Sequence, residues 1–119
     1  MKTFLTLEDI EHARLPGNVI PVVHDLLANL IAEHTEHGYT FNPDEDGHIV
    51  LIEEGDTDEA VREAIGGRTL LDVVLEGCTL DRGFFIAVVL FNNQFGVSVV
   101  IEDAPWLDPA VRTRLMLDL

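Results

Sequence analysis

The chain has 119 residues, 47% of them apolar, and carries 22 Asp and Glu against 7 Lys and Arg for a formal charge of −15. A chain of this length makes one domain that buries about two-thirds of its unfolded surface, its apolar content argues against disorder, and its charge disfavours nucleic acid and anionic membranes. No apolar run reaches the roughly 18 residues that span a bilayer, the start "MKTFLTLEDIEHA" turns acidic before a signal core can form, and the single Cys78 rules out a disulfide scaffold.

A soluble, cytoplasmic protein is therefore expected, and its first element is a short helix. Thr6 can cap "LEDIEHARL", with Asp9 at the third following position as a capping-box partner, until Pro16 and Gly17 stop it. In "NVIPVVHDLLANLIAEHTEHG" apolar residues recur at Val19, Val22, Val23, Leu26, Leu27, Leu30 and Ile31, the spacing of a second and longer helix. Asn18 is its expected cap, Pro21 fits the first turn, and Gly38 ends it after His34 and His37, which suit a helix C-terminus. "YTF" and "HIVLIE" read as two short strands joined by the polar turn "NPDEDG". Asp56 or Thr57 caps a third helix over "DEAVREAI", with Glu59 spaced for a capping box with Asp56, and Gly66 and Gly67 end it.

"TLLDVVLEGCTL" reads two ways, because Thr69 with Asp72 can open a helical turn while Val73 and Val74 favour a strand. "FFIAVVLF", Phe84 to Phe91, is the clearest strand, entered through the turn "LDRG". Its unbroken apolar run implies burial on both faces, with helices or another copy of the protein as the covers. "NNQFG" turns the chain into "VSVVIED", and Asp108 with Pro109 opens a last helix over "PAVRTRLMLDL". The order α-α-β-β-α-β-β-β-α, with tight late connections, defines a single α+β domain over 1–119 with a mostly antiparallel sheet.

Chemistry concentrates in one stretch. Asn42, Asp44, Asp46, Gly47 and Glu53 match D-x-[DN]-x-[DN]-G-x5-E of a calcium loop, with the His48 carbonyl as a further oxygen and Glu53 closing the site. Asn stands at the first position, however, and the β-branched exit "HIVLIEEGD" cannot supply the following helix. An acidic hairpin is the competing reading. His34 and His37 share a helix face, but no third histidine or cysteine sits at zinc-site spacing. Cys78 has no local catalytic signature, Ser98 lies mid-strand, and Gly66 and Gly67 follow a helix where phosphate loops precede one. No enzyme and no required cofactor are expected.

Two functions follow. The first is a non-enzymatic interaction protein in which Asp44, Glu45, Asp46, Glu53, Glu54, Asp56 and Trp106 meet a basic protein partner, as a nucleic-acid mimic or inhibitor does. The alternative is a small calcium-binding domain using the Asn42 to Glu53 loop. A homodimer is compatible with either. Acidity alone also serves solubility or salt adaptation, since Lys2 is the single lysine, and Trp106, between Pro105 and Leu107, suits packing as well as anchoring.

The closing segment "FNNQFGVSVVIEDAPWLDPAVR" resembles small acidic proteins of bacterial plasmids and integrative elements, in which an asparagine-rich turn precedes a strand, a Pro-Trp-Leu segment and a terminal helix. The resemblance covers the last third of the chain. It implies an accessory role on a mobile element and brings no catalytic residues with it.

Overall fold

Local capping signals settle the helices of the computed structural model, which describes residues 1–91 and 95–117. The turn read at 92–94 lies outside them. Thr6 and Asp9 form a complete capping box at the start of α1 (Leu7–His12), the Asp9 backbone N–H reaching the Thr6 hydroxyl at 3.2 Å while the Asp9 carboxylate accepts from the Thr6 N–H at 3.0 Å. α2 (Ile20–Glu36) departs from expectation at its entry. Its N-cap is Val19, which offers no side-chain cap, and Pro21 sits in the first turn where a missing N–H costs nothing. The far end closes as expected: Gly38 takes φ +80°, the Tyr39 N–H donates to the His34 carbonyl at 2.9 Å and the Gly38 N–H to Thr35 at 3.0 Å, a Schellman pair.

The segment Tyr39 to Phe41 is not a strand. Tyr39 is consumed in closing α2 and is 69% exposed, so β2 (Gly47–Ile52) finds its antiparallel neighbour elsewhere, in β1 (Lys2–Phe4), with Phe4 opposite Ile49 and Lys2 opposite Leu51. Residues 42–46 therefore lead a helix into a strand and make no hairpin. α3 (Asp58–Ala64) is capped by Thr57, whose hydroxyl accepts from the Ala60 N–H at 3.2 Å. The ambiguous stretch divides: Thr69 caps α4 (Leu70–Leu75), and extended backbone begins only at β3 (Thr79–Asp81). Arg82 and Gly83, both at positive φ (50° and 87°), make the tight turn into β4 (Phe84–Leu90). β5 (Gly96–Glu102) follows, then α5 (Pro109–Leu117), where the Asp108 carboxylate accepts from the Ala110 N–H at 2.8 Å.

The five strands form one mixed sheet in the order β1-β2-β5-β4-β3, antiparallel throughout except for the central pair β2 and β5, which run parallel with Gly47 opposite Gly96 and Ile52 opposite Ile101. Period-two alternation divides the core in two. Val50, Ile52, Phe85, Val89, Val97, Val99 and Ile101 face α3, α4 and α5, while Ile49, Leu51, Phe84 and Val100 face α1 and α2 through Ile10, Val22, Val23 and Leu27. Helices thus cover both faces of this α+β sheet, each large side chain withdrawn from water stabilising it by about 1.5–3 kcal/mol. Among the described residues no helix is long and apolar enough to cross a membrane.

β4 falls short of the double burial its sequence suggests. Phe84, Phe85, Ala87 and Val89 are buried, but Val88 and Leu90 are 53% and 69% exposed. The reason is the face each side chain takes: Val89 packs on the α3–α5 side, whereas Val88 and Leu90 point to the α2 side and border an open groove there, and β3, with three residues against seven, also leaves the far half of β4 without a neighbour.

Candidate partner-binding surface

Strand β2 separates the predicted site residues into two groups. At about 3.3 Å per residue, its six residues hold the 42–46 turn and Glu53 roughly 20 Å apart. The turn is closed on itself: the Asn42 side-chain oxygen accepts from the Asp44 N–H at 3.1 Å, and the Asp46 carboxylate accepts from the Asn42 N–H at 2.7 Å. Asp46 also lies 3.7 Å from His34 Nε2. Glu53, at the other end, holds the Lys2 ammonium at 2.6 Å. Asn42, Asp44, Asp46, the His48 carbonyl and Glu53 therefore do not surround a common point, because extended backbone replaces the helical exit that brings a twelfth-position carboxylate back to the loop. The calcium loop that the pattern offered as the alternative reading is not assembled. Among the described residues no group of three or more His, Cys, Asp or Glu side chains is placed to hold a metal ion.

His48 itself faces the α3–α5 side of the sheet, its ring edge-on to Phe95 with centroids 5.2 Å apart. Burial lowers its pKa, offset in part by the negative charge of Asp44, and among the described residues its buried Nδ1 meets no hydrogen-bond partner.

At the Glu53 end, Ile52, Val61, Leu70, Trp106, Leu107 and Val111 floor a cleft of about 450 Å³ rimmed by Glu53, Asp56, Asp58, Asp108 and Arg62. Its acids are largely answered from within. The Met1 amine lies 2.7 Å from Asp56 and 3.0 Å from Glu53, and Asp56 also accepts from the Glu53 N–H at 2.7 Å. Glu53 is held below the usual carboxylate range chiefly by its hydrogen bond from Lys2. For Asp56 burial works the other way, but the hydrogen bonds from the amine and from Glu53 outweigh it and lower its pKa as well. Trp106 is half-buried against the larger core cluster, so it staples the segment before α5 to the sheet. Glu54 is exposed beside this cleft without lining it.

The opposite end differs. There Leu30, Glu33 and His34 of α2, Glu45 and Asp46 of the turn, Val88 and Leu90 of β4, and Gly96 and Ser98 of β5 enclose a groove of about 430 Å³. Its floor is apolar and its wall is acidic. Among the described residues Glu33, Asp44 and Glu45 have no Lys or Arg within ion-pair distance, whereas Lys2, Arg68, Arg82 and Arg112 are paired elsewhere with Glu53, Glu76, Asp81 and Asp103. Of the residues predicted to meet a partner, Glu45 and Asp46 line this groove and Asp44 is exposed in the same turn; they are joined by Glu33, Leu30, Val88 and Leu90, which sequence reasoning missed. Glu33 carried a signal, as an exposed acid within two turns of the turn it approaches. Val88 and Leu90 carried none, since their run reads as core.

Cys78 is half-buried with Sγ 3.5 Å from the Leu115 carbonyl, and Ser98 is a 7% exposed mid-strand residue. The fold and this surface define the class: an α+β domain with a mixed five-stranded sheet and an acid-walled groove at one end. No protein-family model matches the chain, and neither a curated protein nor a solved structure matches it.

Proposed function

We propose that this is a non-enzymatic, cytoplasmic interaction protein whose acidic surface engages a basic protein, acting as a nucleic-acid mimic or inhibitor does. The observation that carries this reading is the meeting of Glu33 and Glu45, which lack a Lys or Arg partner among the described residues, with exposed Val88 and Leu90 at one groove, Asp44 lying exposed in the adjoining turn. Carboxylates without internal cations project their field outward and speed encounter with a positive surface, and adjacent apolar side chains then supply short-range burial. The resemblance of the closing segment adds to this reading an accessory role on a mobile element.

Capture from a nuclease-treated lysate of the native host at about 0.05 M and about 0.5 M salt tests it, because such contacts weaken as the Debye length shrinks. A basic protein retained at low salt and released at high salt is expected. An empty capture, or one indifferent to salt, overturns the reading.

A further inference from the structure

The far half of β4 is an open sheet edge. The Phe91 N–H donates to the Phe95 carbonyl at 2.9 Å and the Asp103 N–H to the Gly83 carbonyl at 3.0 Å, so the odd-numbered residues of β4 make the hydrogen-bonded pairs with β5. Backbone groups of the even-numbered residues point the other way. Those of Phe84 and Ile86 meet β3, whose pairing ends at Thr79 opposite Ile86. Val88 and Leu90 lie beyond that end, and among the described residues no backbone hydrogen bond closes their outer side. They therefore present unpaired donors and acceptors together with exposed apolar side chains. The usual protections of an edge, a lysine or a proline, are missing from both positions.

We infer that an extended segment of a basic protein adds to this edge as a short sixth strand, pairing its backbone with Val88 and Leu90 while its lysine or arginine side chains reach Glu33 and Glu45. The inference rests on the acidic-surface reading and specifies its mode. Charge selects this occupant. A second copy of the chain would bring its own Glu33 and Glu45 and a further −15 to an edge already walled by acids, whereas a cationic strand neutralises that wall as it pairs. Strand addition draws affinity from main-chain hydrogen bonds and selectivity from alternate side chains, and the floor of Leu30, Val88 and Leu90 packs the aliphatic stems of the cations that reach the acids on the same face, while the residues between them point to the opposite face.

The probe is a peptide of about eight alternating lysine and valine residues, compared with the same peptide N-methylated at every amide, which keeps the charge but cannot donate to a strand. Hydrogen exchange and titration are read on the full chain. The unmethylated peptide is expected to slow exchange at the Val88 and Leu90 amides and to bind at least about tenfold more tightly than the methylated one, the worth of one or two hydrogen bonds. Leu90→Lys, at an exposed position that leaves the core intact, should weaken the unmethylated peptide. Equal binding of the two peptides overturns strand addition while leaving the acidic-surface reading in place, and no binding of either overturns both. Protection of Val88 and Leu90 that rises with protein concentration in the absence of peptide assigns the edge to a second copy and overturns the inference.

Discussion

At the scale of single residues, two positions show how closely the sheet constrains its side chains. Gly47 takes φ +146°, and a Cβ there would strike the Gly96 carbonyl oxygen of the neighbouring parallel strand. Both the backbone conformation and the contact forbid a larger residue. Gly47→Ala should therefore lower stability by about 2–4 kcal/mol in denaturant melting, and a loss below about 0.5 kcal/mol, the size of an ordinary surface change, would mean the strands do not approach as described. His48 is the second. Burial lowers its pKa in the folded chain, so between that value and about 6.5 the unfolded chain binds more protons. Its contribution to stability is full above about pH 6.5 and is lost as pH falls through the folded value. His48→Phe, which keeps a ring against Phe95 and removes the Nδ1 that meets no partner among the described residues, should flatten the decline in melting temperature between about pH 7 and pH 5. Parallel profiles for the two proteins would show that His48 is solvated.

At the scale of elements, what could be read depended on how far each structural cause reaches along the chain. A cap is decided within four residues, so Thr6 with Asp9 and Asp108 before Pro109 were legible and form as read, whereas the Thr69 cap opens helix α4 where Val73 and Val74 argued for a strand and the element order counted one. A three-residue strand is too short to show a period, and β1 and β3 were either missed or left ambiguous for that reason. Tyr39 to Phe41 failed oppositely: its β propensity is real, but Tyr39 is spent on closing α2. The calcium pattern counts positions without their conformation, and β2, as its β-branched run implied, carries Glu53 away from Asp44 and Asp46, while the competing hairpin failed because β2 pairs with β1. Millimolar calcium is accordingly expected to leave the melting temperature unchanged, and Glu53→Gln to lower it slightly and equally with or without calcium, through the lost Lys2 pair. A calcium-dependent rise of about 4 °C or more that Glu53→Gln removes would contradict this geometry and restore the loop as a cation site.

At the scale of the whole molecule, charge and topology act together. Helices on both faces bury the sheet, yet β3 is too short to finish covering β4, and the place left open lies beside Glu33 and Glu45, which meet no Lys or Arg among the described residues. No local stretch of sequence contains that coincidence. It arises from the length of α2, the brevity of β3 and the route of the 42–46 turn, so the acid-rich character of the site was legible while its location was not. The most direct measurement separates place from amount of charge. Association of the captured basic partner is followed with the wild-type chain, with Glu33, Asp44 and Glu45 all changed to Lys, and with Glu59, Glu63 and Asp72 all changed to Lys on the helices of the opposite face. Both variants carry the same net charge. The account predicts that the association rate falls at least about tenfold more for the groove variant than for the control, since steering is strongest where charges face the partner. Equal slowing of the two would contradict it, reducing the acidity to a general field with no preferred face.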